Sequence, residues 1–357
     1  MTPIRSRADA NGGPSAFLVG LRYPHHASHS GYDRLAEHLG DWIRAPIRAR
    51  WLPGRAGTAV NRALSAAVGQ PRYSVGVLLA EIAAAAHMLR RRNSLYHVMY
   101  GDRDLLLLRL LAGRGGNRLI ATFHGPLGVP AASLGWLSGT LDAAILVTEY
   151  QRSYFESLLP PDRIFVVRHG VDSEFFHPGD RPPVDRTCIT VGSHLRDFTT
   201  LIRTVEHVWR QDPAVRFVVA GLESESALGP LARDQRVRVL GRVSDAELRA
   251  AYQAAGVALF AFHDATASNS LLEAMACGLP VVTTDVGGVG EYVDANAAFL
   301  RPPGDAVGMA DEVVALLADP ERARRMGQAS RDLAVEHDYR RMAEEVREVY
   351  ARVEATT

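Results

Sequence analysis

The chain has 357 residues, 47% hydrophobic and 22% charged, with 40 basic residues balanced by 40 acidic ones. That is length enough for two domains with sizeable cores, and a formal net charge of +0 gives no global basis for binding nucleic acid. All the basic residues are arginine, and residues 1–180 hold 20 of them against 14 acidic residues, so the first half carries +6 and the remainder −6. No apolar run reaches the roughly 18–20 residues of a membrane span, and "MTPIRSRADANGGPS" lacks a signal-peptide core. Cys188 and Cys277 lie far apart without metal-ligand spacing and read as buried small apolar residues of a reducing compartment. The expected location is the cytoplasm.

In chain order, residues 1–14 read as a disordered leader. "SAFLVGL" (15–21) is a predicted strand that leads through the polar loop "RYPHHASHSGYDRLAEHLG" into a helix, a βα unit. Further strands are predicted at 95–100, 118–125, 143–148 and 164–170. The stretch 177–186 concentrates Pro, Gly and charge and reads as an interdomain linker. A second series follows, with strands at 187–193, 216–222, 237–243, 257–262 and 280–285, and the chain closes in helices, the last over 338–353. Strands alternating with helices imply parallel sheets that bind ligands at the strands' carboxyl ends. The predicted fold is α/β: two Rossmann-like domains, 15–176 and 187–337, facing across a cleft, followed by a helix within 338–357.

The densest local pattern is "ASNSLLEAMACGLPVVTTDVGG" (267–288). Ser268-Asn269-Ser270 is an N-cap cluster, Leu271 to Cys277 a two-turn helix, Gly278 its C′ residue, Pro280 a stop, and Val281–Thr284 a buried strand. Glu273 has two readings. It closes a capping box with Ser270, or it accepts hydrogen bonds from the ribose hydroxyls of a nucleotide.

The second domain offers further groups suited to a nucleoside diphosphate. "VGSHLRDFTTLI" (191–202) puts Ser193, His194 and Arg196 in a loop after a strand, where arginine can neutralise phosphate. Asn269, Ser270 and Leu271 open a helix whose first amides suit an anion. In the first domain, "TFHG" (122–125) places His124 at a strand end, positioned to donate a proton to a substrate hydroxyl or take one from it; the competing reading is a histidine bonded to backbone. His25, His26 and His29 have no fixed helical or strand spacing, and no metal is expected there.

These stretches resemble the retaining GT-B glycosyltransferases of family 4, which includes bacterial mannosyltransferases and sucrose synthases. The resemblance is densest in "VALFAFHDATASNSLLEAMACGLPVVTTDVGGVGEYV" (257–293), with support at 122–125, 168–178, 191–202 and 237–260. It implies a GT-B fold whose last helix packs back on the first domain, and transfer of a sugar from a nucleoside diphosphate, UDP or GDP in type, to a hydroxyl without metal or other cofactor. Under it, Glu273 looks like the glutamate that holds the donor ribose, and Arg196 fills the place of a diphosphate-binding lysine. Ser193 falls near the arginine of the same pair, Gly31 looks like the glycine that lets a loop approach the donor, Val243 sits where backbone meets the base, and His124 resembles the histidine beside the sugar. The family's E-x7-E pattern would put its first glutamate at Ala265; either Asp264 substitutes for it or that role is absent. His169 replaces an asparagine common before "GVD".

Two other readings share the architecture: a nucleotide-sugar 2-epimerase, and a catalytically silent sugar-nucleotide-binding protein. The loop 22–32, with Tyr23, His25, His29 and Tyr32, suits a polar, hydroxylated acceptor, and Tyr23, His29 and Tyr32 are its expected contacts. "LLAEIAAAAHMLRRRN" (78–93) reads either as a core helix with a cationic end or as a peripheral contact with anionic lipid at the inner membrane face.

Overall fold

Strands made of uninterrupted Val, Ile, Leu and Ala need cover on both faces, which is the environment of a parallel sheet. The computed structural model of the chain, which describes residues 16–20, 29–39, 42–43, 54–69, 73–102, 105–126, 139–180, 186–222, 224–241 and 243–356, contains two such sheets. Every pairing between their strands is parallel. The predicted leader, residues 1–14, lies outside the described residues.

The chain divides into two compact units, one comprising Met1–His26, Tyr32–His169 and Arg340–Thr357, the other Ala27–Gly31 and Gly170–Tyr339. In the first unit the strands are β1 (Phe17–Val19), β2 (Trp42–Ile43), β3 (Leu95–Val98), β4 (Arg118–Phe123), β5 (Ala143–Leu146) and β6 (Ile164–Val166), in the order β2-β1-β3-β4-β5-β6. Its helices include α1 (Ala36–Leu39), α2 (Gly54–Val68), α3 (Val75–Met88) and α4 (Arg152–Glu156). Ser74 caps α3 by accepting from the Val77 amide at 3.3 Å. Glu81, fully buried on α3, accepts from the amides of Leu106, Leu107 and Leu108 at 2.7, 2.7 and 3.2 Å and from the Tyr73 hydroxyl.

The second unit has β7 (Thr187–Val191), β8 (Arg216–Ala220), β9 (Val237–Leu240), β10 (Val257–Phe260), β11 (Val281–Thr284) and β12 (Ala298–Arg301), ordered β12-β11-β10-β7-β8-β9. Its helices are α5 (Phe198–Gln211), α6 (Asp245–Ala254), α7 (Asn269–Ala276), α8 (Ala306–Ala318) and α9 (Pro320–Glu336). Successive residues of β10 feed opposite cores: Ala258 and Phe260 join the cluster with α7, while Val257 and Leu259 join the one with α5 and α8. The strand order reverses between β7 and β10, and in an open α/β sheet the carboxyl ends at such a reversal form the ligand crevice. The loops after Val191 and after Phe260 therefore become neighbours.

The last helix is α10 (Tyr339–Ala355), and from Arg340 on it belongs to the first unit. Its stripe Met342, Val346, Tyr350 and Val353 is buried, the Tyr350 hydroxyl lies 2.6 Å from His97 Nδ1, and Arg347 donates to the His38 carbonyl. Among the described residues no helix is long and apolar enough to cross a membrane.

Two strands escaped the sequence reading. Among the described residues β2 is two residues long, and β12 is a half-buried edge strand without a continuous apolar run. The unit boundary also falls before the Pro-rich stretch rather than in it. Val171 pairs with Asp338, Ser173 Oγ donates to the Asp338 carboxylate at 2.6 Å and Phe176 enters the second unit's core, so the chain is committed to that unit from Gly170 on. Of the expected linker, 177–180 packs on α6 through Gln253, whose amide donates to the His177 carbonyl at 2.8 Å, and 181–185 lie outside the described residues.

Candidate active site

Helix α7 starts earlier than its apolar run. Ser268 is the N-cap, its Oγ accepting from the Leu271 amide at 3.4 Å, and the helix runs Asn269–Ala276 to a Cys277 C-cap and Gly278 at φ +77. Glu273 is thus five residues past the cap and closes no box with Ser270, which corrects the first of its two readings. A capping box does form at α6, between Ser244 and Glu247. Every residue from Ser270 to Ala276 is buried, so a carboxylate at 273 is held inside the unit.

The loop after β7 is tied to the loop after β10. Arg196 bridges Phe262, the His263 amide donates to the Leu195 carbonyl at 2.9 Å, and the Asp197 amide donates to the Ala261 carbonyl at 2.9 Å. Leu195 is held at φ +55, a left-handed conformation that a branched side chain adopts only when its surroundings impose it. These ties turn the Arg196 side chain inward. Its Nε and Nη2 donate to the Val191 carbonyl at 3.1 and 2.6 Å, Nη2 also donates to Ser270 Oγ at 2.5 Å, and the guanidinium lies 4.1 Å from the Phe262 ring centroid. Arg196 is 9% exposed, and among the described residues no carboxylate lies within ion-pair distance of it. Burial pushes its pKa down to about 10, against the favourable fields of Tyr252 and Glu273. It remains a cation at neutral pH. Ser193 is half-buried in the same loop, its carbonyl accepting from the Arg196 amide at 3.4 Å.

Glu273 is 3% exposed and accepts from the Ser30 hydroxyl and, at 3.0 Å, from the Tyr252 hydroxyl, which also lies 3.3 Å from the Ser270 carbonyl. Burial pushes its carboxyl up to about 7, with Asp245 adding to the rise and Ser30, Tyr252 and Arg196 opposing it. Sequence reasoning missed Ser30 and Tyr252. The available signals were a serine directly before Gly31 and a lone tyrosine on the inward side of α6.

The segment carrying Ser30 is fastened by its own neighbours. The His29 amide donates to Asp245 at 2.8 Å, its Nδ1 lies 2.7 Å from the Asp172 carboxylate, and its ring stacks on Phe175 at 3.7 Å and 6°. Gly31 sits at φ +98, and its carbonyl accepts from the Tyr339 hydroxyl at 3.0 Å. His29 is therefore an anchor of its own loop rather than a free contact for an acceptor.

Asp264 follows β10, and its Oδ1 is buried with no hydrogen-bond partner among the described residues. It faces Gly287, at φ +52, where a Cβ would come within 2.1 Å of the Ala265 carbonyl and 2.6 Å of Asp264 Oδ1. Only glycine leaves that space. Val243 is half-buried directly before the Ser244 cap of α6.

His124 and Tyr32 belong to the first unit. His124 leaves β4 with its amide donating to Asp102 at 2.6 Å and its Nε2 donating to the Met99 carbonyl at 2.9 Å. A carbonyl can only accept, so Nε2 carries the proton of that bond. Its ring packs edge-on against Tyr32 at 4.3 Å and lies 5.9 Å from His169. Tyr32 is buried with its hydroxyl 2.8 Å from Thr122 Oγ1, and burial holds that phenol well above its ordinary pKa, so the hydroxyl expected for an acceptor is enclosed within the unit. Tyr23 lies outside the described residues. Among the described residues no group of three or more His, Cys, Asp or Glu could hold a metal ion.

The profile of the glycosyl transferases group 1 family matches residues 185–319, which contain Arg196, Asp264 and all of α7. A GDP-mannose-dependent alpha-(1-6)-phosphatidylinositol monomannoside mannosyltransferase from Mycobacterium tuberculosis is 30% identical over 265 residues, 63% of this chain and 68% of the relative. The chain belongs to the glycosyl transferases group 1 family. Another member, a D-inositol 3-phosphate glycosyltransferase from Segniliparus rotundus, is 33% identical over 190 residues, 47% of this chain, and the match spans 42% of that protein's length. Among solved structures, Anabaena HepE in complex with UDP and glucose superposes with a TM-score of 0.63 at 16% identity, covering 78% of this chain and 83% of its own. The fold of this family member is GT-B: two α/β units, each built on a parallel sheet.

Proposed function

We propose that the chain transfers a glycosyl group from a nucleoside-diphosphate sugar to a hydroxyl, with retention at the anomeric carbon and without a metal. The observation that carries this reading is Arg196: a buried guanidinium with no carboxylate partner among the described residues, bonded to Ser270 in the first turn of α7. Buried charges are normally paired, and the first amides of a helix seek an acceptor. A diphosphate satisfies both, with the Asn269 and Ser270 amides and the Arg196 charge stabilising the leaving group as its charge grows. One turn deeper, Glu273 takes the ribose hydroxyls, exchanging the Ser30 and Tyr252 hydroxyls for those of the ligand. The unpartnered oxygen of Asp264 takes a sugar hydroxyl, and Val243 meets the base.

In the reaction the bond from the anomeric carbon to the phosphate oxygen breaks and its electron pair leaves on the diphosphate. The acceptor oxygen bonds to the same face of that carbon, and its proton passes to the departing phosphate. Support for a nucleotide donor comes from the GDP-mannose dependence in the mycobacterial relative's name and the UDP bound to HepE. Both UDP and GDP donors fit this reading, and a lipid-linked or small hydroxylated acceptor fits the names of the relatives.

Calorimetric titration with UDP, GDP, ADP and dTDP in the presence of a chelator tests it. One nucleotide should bind selectively, and more tightly as pH rises past about 7, because ribose hydroxyls favour ionised Glu273. Failure of all four to bind would remove the donor site. Binding without release of diphosphate from any donor would leave a sugar-nucleotide-binding protein.

A further inference from the structure

Ser30 and Glu273 belong to the same unit although they stand 243 residues apart in the chain. Both oxygens of the Glu273 carboxylate are met from within that unit: Ser30 Oγ donates to Oε1, and the Tyr252 hydroxyl donates to Oε2 at 3.0 Å. Glu273 is buried in a packed interior, so a ligand hydroxyl reaches it only by taking the place of one already there.

The two hydroxyls differ in what that exchange costs them. Tyr252 stands on α6 in the core, and a second acceptor, the Ser270 carbonyl, lies 3.3 Å from its hydroxyl. Ser30 is half-buried, outside any helix or strand, and among the described residues its hydroxyl has no acceptor besides Glu273. Its backbone is held on both sides, His29 by Asp245 and the stack on Phe175, and the Gly31 carbonyl by the Tyr339 hydroxyl. A serine hydroxyl still moves by rotation about one bond, from one staggered rotamer to the next, with the backbone unchanged. Ser30 is therefore aimed at Glu273 by fixed neighbours and able to turn away. Its hydroxyl spares the buried carboxylate the cost of lacking a donor, and the same bond makes it a rival of any ligand group that needs Oε1.

We propose that Ser30 is a specificity-determining residue of the donor site, an internal competitor that yields Glu273 to a ribose hydroxyl and keeps it from nucleotides that lack one. The inference rests on the donor-site reading and adds that a side chain touching Glu273 weakens donor binding. A nucleotide without ribose hydroxyls has nothing to exchange at Glu273 and binds with the Ser30 contact intact. A ribonucleotide breaks that contact and gains only the difference between two similar hydrogen bonds.

Calorimetric titration well above pH 7, where Glu273 is ionised, with UDP, GDP and their 2′,3′-dideoxy counterparts is the test. Ser30→Ala should bind the ribonucleotide that the parent chain selects on the order of 10-fold more tightly, because a hydrogen bond to a charged group no longer has to be given up. The dideoxy counterpart should bind both chains alike. Ser30→Cys, whose thiol donates weakly, should fall between the parent and the alanine variant. The melting midpoint of ligand-free Ser30→Ala should drop while its ribonucleotide affinity rises; a merely structural role would lower both. Ribonucleotide affinity that is unchanged or weaker in the two variants overturns the proposal and leaves the donor site standing, as does an equal gain with the dideoxy nucleotide. Failure of every nucleotide to bind parent and variants alike overturns the donor-site reading and this inference with it.

Discussion

The two units bury polar side chains to opposite ends. In the first, Glu81 is met by three amides and a tyrosine, and Tyr32, Thr122, His97 and Tyr350 form a closed chain with His97 Nε2 2.7 Å from Thr122 Oγ1. Each group there has a protein partner. In the second, among the described residues, Arg196 has no carboxylate within ion-pair distance and Asp264 Oδ1 has no donor, and Glu273 is pushed toward neutrality by burial. A satisfied buried network specifies a fold, while one left open at its charges is what the proposed donor site requires.

Breaking Glu81 should have the largest effect on folding. Glu81→Ala leaves three amides without an acceptor and should cost about 3–5 kcal/mol by urea denaturation, with nucleotide affinity unchanged in the folded fraction.

Glu273→Gln should do the reverse. Donor affinity should fall about 100-fold by calorimetry while the ligand-free protein gains stability above pH 7. The sign follows from protons: folded Glu273 binds one near pH 7 and the unfolded side chain near 4.5, so rising pH through that window favours unfolding, by on the order of 3 kcal/mol at most. His97 has the opposite slope. Burial depresses its pKa from 6.5 to about 3, so between those values the unfolded chain takes the proton and acid destabilises the first unit. Wild-type protein should thus lose a contribution as pH rises from about 4.5 to 7, and only this loss should vanish in Glu273→Gln. A loss over that window that persists in the variant would show that it does not come from Glu273.

Arg196→Met should lower nucleoside diphosphate affinity about 10–100-fold and change stability by less than ~1 kcal/mol, because the desolvated charge leaves together with its hydrogen bonds. A larger stability loss with intact affinity would make Arg196 a structural tie between its loop and Ser270. The smallest effect belongs to the closed chain of the first unit: Tyr350→Phe should cost about 1 kcal/mol and leave nucleotide binding alone.

Much of this was legible in residue order. The strand series, the helix at 267–288 and the concentration of Arg196, Asn269, Ser270 and Glu273 in one domain follow from apolar runs, turn residues and caps, all local in sequence. The readings that shifted were those resting on partners far along the chain. Tyr32 and His29 were read as polar loop residues open to an acceptor, but Thr122 encloses the first and Asp172, Asp245 and Phe175 fasten the second. The domain boundary moved because Val171 pairs with Asp338, a contact that no composition of Pro and Gly at 177–186 announces.

Period and punctuation by themselves determined that this protein is a two-domain α/β chain with a serine-capped helix carrying Glu273. Those properties depend on residues a few positions apart, whose backbone preferences act before any core exists. Which hydroxyls meet Glu273, that Arg196 turns inward with no carboxylate in ion-pair distance among the described residues, and that His124 Nε2 donates a hydrogen bond to the Met99 carbonyl were decided by tertiary structure alone. Those outcomes depend on the parallel order of strands remote in sequence and on the burial that order imposes.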